Sequence, residues 1–167
     1  FMMELGSGEY DYLVKVDDDT YIDVLKIVDD LICMQHEDPS RPMYWGHFFF
    51  EAVPQRNPLK RWYQPLDEYN SARIPPFALG PVYVITTDIA RSLVAMRDFG
   101  LLQRIRIDDA ALGVYLQHTR TLFAHDFRLS DLWQDRCIPR FTMGVHCSCP
   151  KVFLSHHRHY MTYGSLC

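Results

Sequence analysis

Apolar positions along this chain switch between two periods. Residues 10–16 (Tyr-Asp-Tyr-Leu-Val-Lys-Val) are aromatic and β-branched and predict a strand. Asp23 is a good helix N-cap, and Val24, Ile27, Val28, Leu31 and Ile32 follow at helical spacing. Pro39-Ser40-Arg41-Pro42 closes that unit. Residues 43–50 predict a second strand. Residues 51–76 are rich in Pro, Arg, Asn and aromatics without any period, and read as a long surface loop of the kind that often carries function. Residues 77–85 predict a third strand, broken by Gly80-Pro81. Thr87 or Asp88 caps a helix through Met96, which Gly100 stops. Asp108-Asp109 opens a helical run from Ala110 to Gln117, and Thr121 to His125 is a short strand. Beyond Ser130 only Val152-Phe153-Leu154 reads as a strand. This alternation predicts a layered α/β fold.

Composition narrows the picture. A length of 167 residues suits one domain, and 48% apolar with 23% charged residues is ordinary globular usage. A net charge of −4 argues against non-specific nucleic-acid binding, which needs a basic surface. No apolar run reaches the roughly 18 residues of a membrane span, and no signal peptide is visible. Phe1-Met2-Met3 reads as the middle of a helix, so a truncated chain is expected. Four of the five cysteines (Cys33, Cys137, Cys147, Cys149, Cys167) crowd the C-terminal end. That arrangement suits disulfides of an oxidising compartment, and it also suits a metal site.

The densest chemistry is Asp17-Asp18-Asp19, where the first predicted strand ends. Three adjacent carboxylates repel one another unless water or a cation lies among them. Hard divalent cations take such oxygens and recruit substrate phosphates as further ligands. A solvated turn with an N-cap is the plainer reading. Position 21 is Tyr and no glycine or late glutamate follows at loop spacing, so an EF-hand is not expected. Asp108-Asp109 is either a helix start facing the dipole or the place of a general base. Gly80 marks either a bulge or a close approach of backbone to a ligand. His156, His157 and His159 cluster behind the last strand, and with Cys147 and Cys149 they are a weak match to a zinc site.

Taken in order over residues 12–113, four blocks resemble the β1,3-glycosyltransferase family of galactosyl-, N-acetylglucosaminyl- and fringe-type enzymes. Val14-Lys15-Val16-Asp17-Asp18-Asp19-Thr20-Tyr21-Ile22 is similar to its Lys-x-Asp-Asp-Asp block, and Tyr44-Trp45-Gly46 to its Trp-Gly. Residues 76–85 resemble its Pro-Tyr-Ala-x-Gly-x-x-Tyr-Val-Leu segment. Asp108-Asp109-Ala110-Ala111-Leu112-Gly113 is similar to its Glu-Asp-Val-x-x-Gly block, with Asp-Asp as in fringe-type members. The chain departs from the common pattern at Asp108, Ala110 and Pro81-Val82.

The resemblance implies an α/β GT-A-type fold. Residues 1–167 would be the C-terminal portion of a single catalytic domain whose N-terminal part is missing. It implies a UDP-sugar donor, manganese (Mn²⁺), a glycan or glycoconjugate acceptor and β1,3 transfer of a hexose with inversion. It also implies a Golgi-lumenal setting behind an upstream membrane anchor. Carried over by position, Asp19 is the direct metal ligand, with His156 or His157 as a late second one. Asp17 and Asp18 lie near the ribose and metal waters, Gly80 and Asp108 join the donor-binding set, and Asp109 is the catalytic base. Lys15 partly neutralises the triplet. Trp45, Trp62, Tyr63 and Phe77 either floor a sugar site or pack in the core. Two other readings stand beside this one: a metal-dependent carbohydrate hydrolase, and a non-catalytic binding domain of the same fold.

Overall fold

The computed structural model describes residues 10–18, 20–37 and 41–129, and the backbone of 144–146. Its elements are β1 (Tyr12–Val16), β2 (Thr20–Ile22), α1 (Val24–Glu37), β3 (Met43–Phe49), β4 (Phe77–Thr86), α2 (Thr87–Asp98), α3 (Asp108–Leu116), β5 (Leu122–His125), a 3₁₀ turn at Phe127–Leu129, and β6 (Gly144–His146). One mixed sheet has the order β1-β4-β3-β5, with β3 and β5 parallel and the other pairs antiparallel. A second, two-stranded sheet joins β2 to β6, a pairing the local pattern did not foretell. The predicted strand at Val152 to Leu154 lies outside the described residues.

Both faces of the larger sheet are covered, so its inner strands are apolar almost throughout instead of alternating with polar residues. Along β3, Met43 and Trp45 point to one face and Tyr44 and Phe48 to the other, as the pleat requires. The first face packs against Ile27 and Leu31 of α1 and against Leu129. The second packs against Ile89 and Leu93 of α2 and Leu112 and Leu116 of α3. Each such buried aliphatic side chain contributes roughly 1.5–3 kcal/mol of transfer free energy.

The third predicted strand is not broken at Gly80-Pro81. It runs unbroken as β4, the longest strand described, and pairs on both edges. The proline is accommodated by a bulge. Gly46 of β3 faces Tyr83, but Phe48 faces Ala78, so Leu79 to Val82 stand opposite His47 alone. A proline has no ladder donor to lose at a bulge. Nearby backbone groups find side-chain partners. The Phe48 N–H donates to His125 Nδ1 at 3.0 Å, and the Ala78 N–H to the Tyr44 hydroxyl at 2.9 Å.

The helix ends follow local rules, with shifts. Asp23 Oδ1 accepts the Lys26 N–H at 3.1 Å, the expected N-cap. At α2 neither predicted cap acts as one. Thr87 is already helical, and its hydroxyl donates to the Tyr10 carbonyl instead. The helix runs two residues past Met96 to Asp98. There Gly100, at φ 68°, lets its own N–H reach the Arg97 carbonyl and the Leu101 N–H reach that of Met96.

Residues 51–76 form a long, largely exposed loop, as expected, but one that is tied down. An antiparallel Ala52–Ile74 bridge extends the β3–β4 hairpin, and a parallel Gln55–Tyr63 bridge ties the loop to itself. Arg56 donates to the carbonyls of Gln64 (2.6 Å) and Ser71 (2.9 Å). Ala52, Tyr69 and Ile74 form a small core with Phe77 and Ala110.

On the face of the sheet covered by α1, just past β5, a polar knot ties α1 to the 3₁₀ turn. Asp126 accepts from the Trp45 indole (3.2 Å) and from the Arg128 guanidinium (2.7 Å), which also pairs with Asp30 at 3.0 Å. Burial pushes the Asp126 carboxyl up, but the donors of Arg128 and Trp45 outweigh it and hold the group below the usual carboxylate range.

Candidate active site

The acidic end of β1 is tied to the β4 bulge by backbone. The Asp17 N–H donates to the Pro81 carbonyl at 3.0 Å, and the Thr20 N–H to the Asp17 carbonyl at 3.1 Å. Lys15 supplies the side-chain bond. Its Nζ donates to Asp17 Oδ1 at 2.6 Å and to the Gly80 carbonyl, lies 3.8 Å from Asp109 Oδ1, and sits over the Tyr83 ring at 5.6 Å. One cation thus joins β1, β4 and α3.

Glycines bring α3 onto β4. A Cβ on Gly113 would lie 2.7 Å from the Pro76 carbonyl oxygen and 2.9 Å from Phe77 Cβ, so only hydrogen fits there. This close seating places Asp109 directly over Gly80, where a Cβ would lie 2.4 Å from Asp109 Oδ2. The two readings of Gly80 therefore combine: it belongs to a bulge, and the group that approaches it is the Asp109 carboxylate.

Asp109 is mostly buried, and its Oδ1 accepts no hydrogen bond. Burial raises its pKa to about 7, with the neighbouring charges of Asp108 and Asp17 adding to the rise and Lys15 opposing it. A carboxyl poised near neutrality at the wall of a cleft is suited to accept a proton.

Asp17, Gly80, Pro81 and Asp109 share a cleft of about 510 Å³ with Phe49, Phe77 and Trp62. That volume falls in the range of small-molecule sites. The four candidate aromatics divide. Trp45 is core, Phe77 serves both core and cleft, and Tyr63 is half-buried. Trp62 stands exposed on the cleft wall.

Of the residues expected to act together, the structure gathers Asp17, Gly80 and Asp109. Asp18 and Asp108 are exposed beside the cleft and do not line it. Asp19, His156, His157, Cys147 and Cys149 lie outside the described residues. Among the described residues no group of three or more metal-capable side chains occurs. Cys33, on α1, is disulfide-bonded. Two features were missed by pattern reading: the grip of Lys15 on the Gly80 carbonyl, and the conformation of Trp62. The lone cation in the acidic strand was a signal for the first. Nothing local signalled the second.

A model of the galactosyltransferase family matches residues 5–125. The chain is similar to β-1,3-galactosyltransferase GALT1 of Arabidopsis thaliana, with 29% identity over 116 residues, which is 70% of this chain and 17% of that protein. It is similar to human β-1,3-galactosyltransferase 2, with 29% identity over 110 residues, 65% of this chain and 25% of that protein. It is also similar to hydroxyproline O-galactosyltransferase GALT5 of Arabidopsis thaliana, with 27% identity over 107 residues, 64% of this chain and 15% of that protein. The chain thus spans a quarter or less of the length of these three curated relatives.

Proposed function

The chain belongs to the galactosyltransferase family, and on that premise we propose that it is the acid-bearing, C-terminal portion of a GT-A-type catalytic domain. Its reaction moves a hexose from a UDP-sugar to a glycan acceptor in β1,3 linkage, with inversion. The observation that carries this reading is Asp109: buried in a cleft, seated on Gly80, with one carboxylate oxygen lacking a hydrogen-bond donor.

The chain's own residues account for the proton. An acceptor hydroxyl oxygen bonds to the anomeric carbon of the donor as the bond from that carbon to the phosphate oxygen breaks. The diphosphate leaves with the electron pair, and the hydroxyl proton passes to the Asp109 carboxylate. Asp17 and Asp18 mark the donor end. Lys15 holds Asp17 and the Gly80 carbonyl, and so keeps the donor end and the base in register. A hard, carboxylate-rich donor set suits Mn²⁺. Asp19 and His156 are the proposed ligands, with Asp17 and Asp18 nearby. When bound, the cation supplies Lewis-acid stabilisation of the departing diphosphate. No described helix is long and apolar enough to cross a membrane. An anchor upstream, with a Golgi-lumenal catalytic domain, completes the proposal.

The test uses the full-length protein. Asp109→Asn is expected to lower kcat by roughly 10²–10⁴-fold while leaving UDP-sugar binding intact. Transfer at the wild-type rate in that variant would remove Asp109 from the mechanism. Sugar released without acceptor, at a rate untouched by acceptor, would point to a hydrolase instead.

A further inference from the structure

Lys15 is an uncommon residue for its place in the sheet. On β1, Leu13 packs toward α2 and α3, whereas Tyr12 and Val16 pack toward α1. The pleat therefore sends Lys15 to the side of Leu13, the face that α3 covers. Its partner across the ladder, Tyr83, packs on that same face. A cation brought under a helix must find oxygens to replace water. Lys15 finds them on three elements: Asp17 Oδ1 at 2.6 Å, the Gly80 carbonyl, and Asp109 Oδ1 at 3.8 Å. The first two are hydrogen bonds. The third is an ion pair without one.

The two hydrogen bonds fix where the charge sits. Gly80 is also the residue on which Asp109 rests, so ammonium and carboxylate are held against the same stretch of backbone. The Lys15 and Asp109 side chains are only 23% and 18% exposed, so solvent screens the pair weakly. Other charges near Asp109 have its own sign. Burial, then Asp108 on α3 and Asp17 on β1, push its carboxyl toward the protonated form. The phenols of Tyr83 on β4 and Tyr44 on β3 are themselves pushed upward, chiefly by burial, and carry no charge at neutral pH. Arg61, on the cleft wall, has its guanidinium over Trp62 at 4.5 Å. Among the described residues Lys15 is the group that opposes protonation of Asp109. A carboxyl that is already protonated cannot serve as a base.

We propose that Lys15 is a positioning residue of the transfer reaction: from its anchors on Asp17 and Gly80, its ammonium keeps the Asp109 carboxylate ionised and so able to take the acceptor's proton. Acting across 3.8 Å, it favours the charge without clamping the carboxylate, whereas Arg128 clamps Asp126 through short hydrogen bonds. This role is electrostatic and goes beyond keeping the strand ends in register. It rests on the transferase reading above.

The experiment uses the full-length protein with Mn²⁺, UDP-galactose as donor, and methyl β-galactoside or methyl β-N-acetylglucosaminide as acceptor. Saturated initial rates are followed from about pH 5 to pH 10. The wild-type rate should rise with a midpoint near 7. Lys15→Met removes the charge, so the midpoint should move up by about 1–3 pH units, the size of an opposite charge at this range. The rate at pH 7 then falls about fivefold or more, and recovers as pH rises through the new midpoint. Lys15→Gln, which keeps hydrogen-bond donors without the charge, should show the same shift. Lys15→Arg, which keeps the charge, should stay near the wild-type midpoint. A second readout needs no substrate. In denaturant melts the stability advantage of Asp109→Asn over its parent levels off above about pH 7 in wild type. In the Lys15→Met background it should keep growing to higher pH. A rate lowered equally at every pH, with the midpoint unmoved in Lys15→Met and Lys15→Gln, makes Lys15 a brace only and overturns the proposal. So does a Lys15→Arg midpoint as high as that of Lys15→Met. The underlying reading fails separately: if wild type transfers galactose to neither acceptor, or Asp109→Asn transfers at the wild-type rate, the transferase mechanism falls, whatever the melts show.

Discussion

Two largely buried aspartates, packed on opposite faces of the sheet, have opposite surroundings. Asp126 receives donors from Trp45 and Arg128 on every side that matters, and its carboxyl is held below the usual range. Asp109 is just as firmly placed, but by a void: Gly80 lacks a Cβ, and Oδ1 lacks a donor. Its nearest cation, Lys15, stands 3.8 Å away and gives its short bonds to Asp17 and Gly80. Satisfied burial stabilises a charge and fixes structure. Unsatisfied burial raises a pKa and so makes the carboxyl readier to hold a proton. The contrast separates a structural carboxylate from one suited to chemistry, although both are single acidic residues beside an element boundary.

The comparison breaks most sharply at Gly80. Gly80→Ala places a Cβ 2.4 Å from Asp109 Oδ2, so the carboxylate must move. A displacement of about 1 Å is expected to lower kcat roughly 100-fold, measured as initial rates beside a melting curve that confirms folding. At the other pole, Asp126→Ala leaves Arg128 without its main partner. It is expected to lower unfolding free energy by about 2–3 kcal/mol in a denaturant titration, with kcat within twofold of wild type wherever the protein stays folded. A loss of activity larger than the loss of stability would show that the knot and the cleft are coupled.

Smaller effects lie in the pH dependence. If Asp109 must be ionised to accept a proton, kcat rises with pH through about 7 and falls about tenfold per unit below it. Stability runs the other way. The folded pKa of Asp109 lies above its ordinary value of 3.8, so the folded state binds the extra proton between those values. That contribution is complete below about 4 and is lost as pH rises through about 7. Asp109→Asn should therefore match wild type near pH 4 and be more stable at pH 8, by about 1 kcal/mol or more in denaturant melts. Equal stability at both pH values would mean that Asp109 titrates normally, and the contrast with Asp126 would vanish.

Much of the fold was legible from local pattern. The Asp23 cap, the Gly100 stop, the start of α3 at Asp108 and the strands β1, β3 and β5 all follow from periodicity, capping and turn chemistry. Gly80-Pro81 misled because the pair breaks strands in isolation, whereas here two flanking strands hold β4 together across a bulge. Residues 51–76 are a long, largely exposed loop, as expected, but what orders it was not legible. Its two bridges are isolated single pairs and its small core reaches to Ala110, so no local period records them. At the site, Asp17 and Asp109 were identifiable as acids at element ends, and Gly80 as a glycine inside a predicted strand. That Asp18 and Asp108 stand outside the cleft was not, since adjacent acids look alike until a fold turns them to different sides.

Local order, the elements, their ends and the acids placed at a strand terminus and a helix start were determined by the sequence itself, because periodicity and capping act over a few residues. Tertiary structure alone decided that Lys15 reaches a carbonyl 65 positions away, that Asp109 rests on Gly80, and that Trp62 faces their cleft. It also decided the poise of Asp109 near neutrality. Desolvation and close approach are properties of what surrounds a side chain, and those surroundings come from strands and helices distant in the chain.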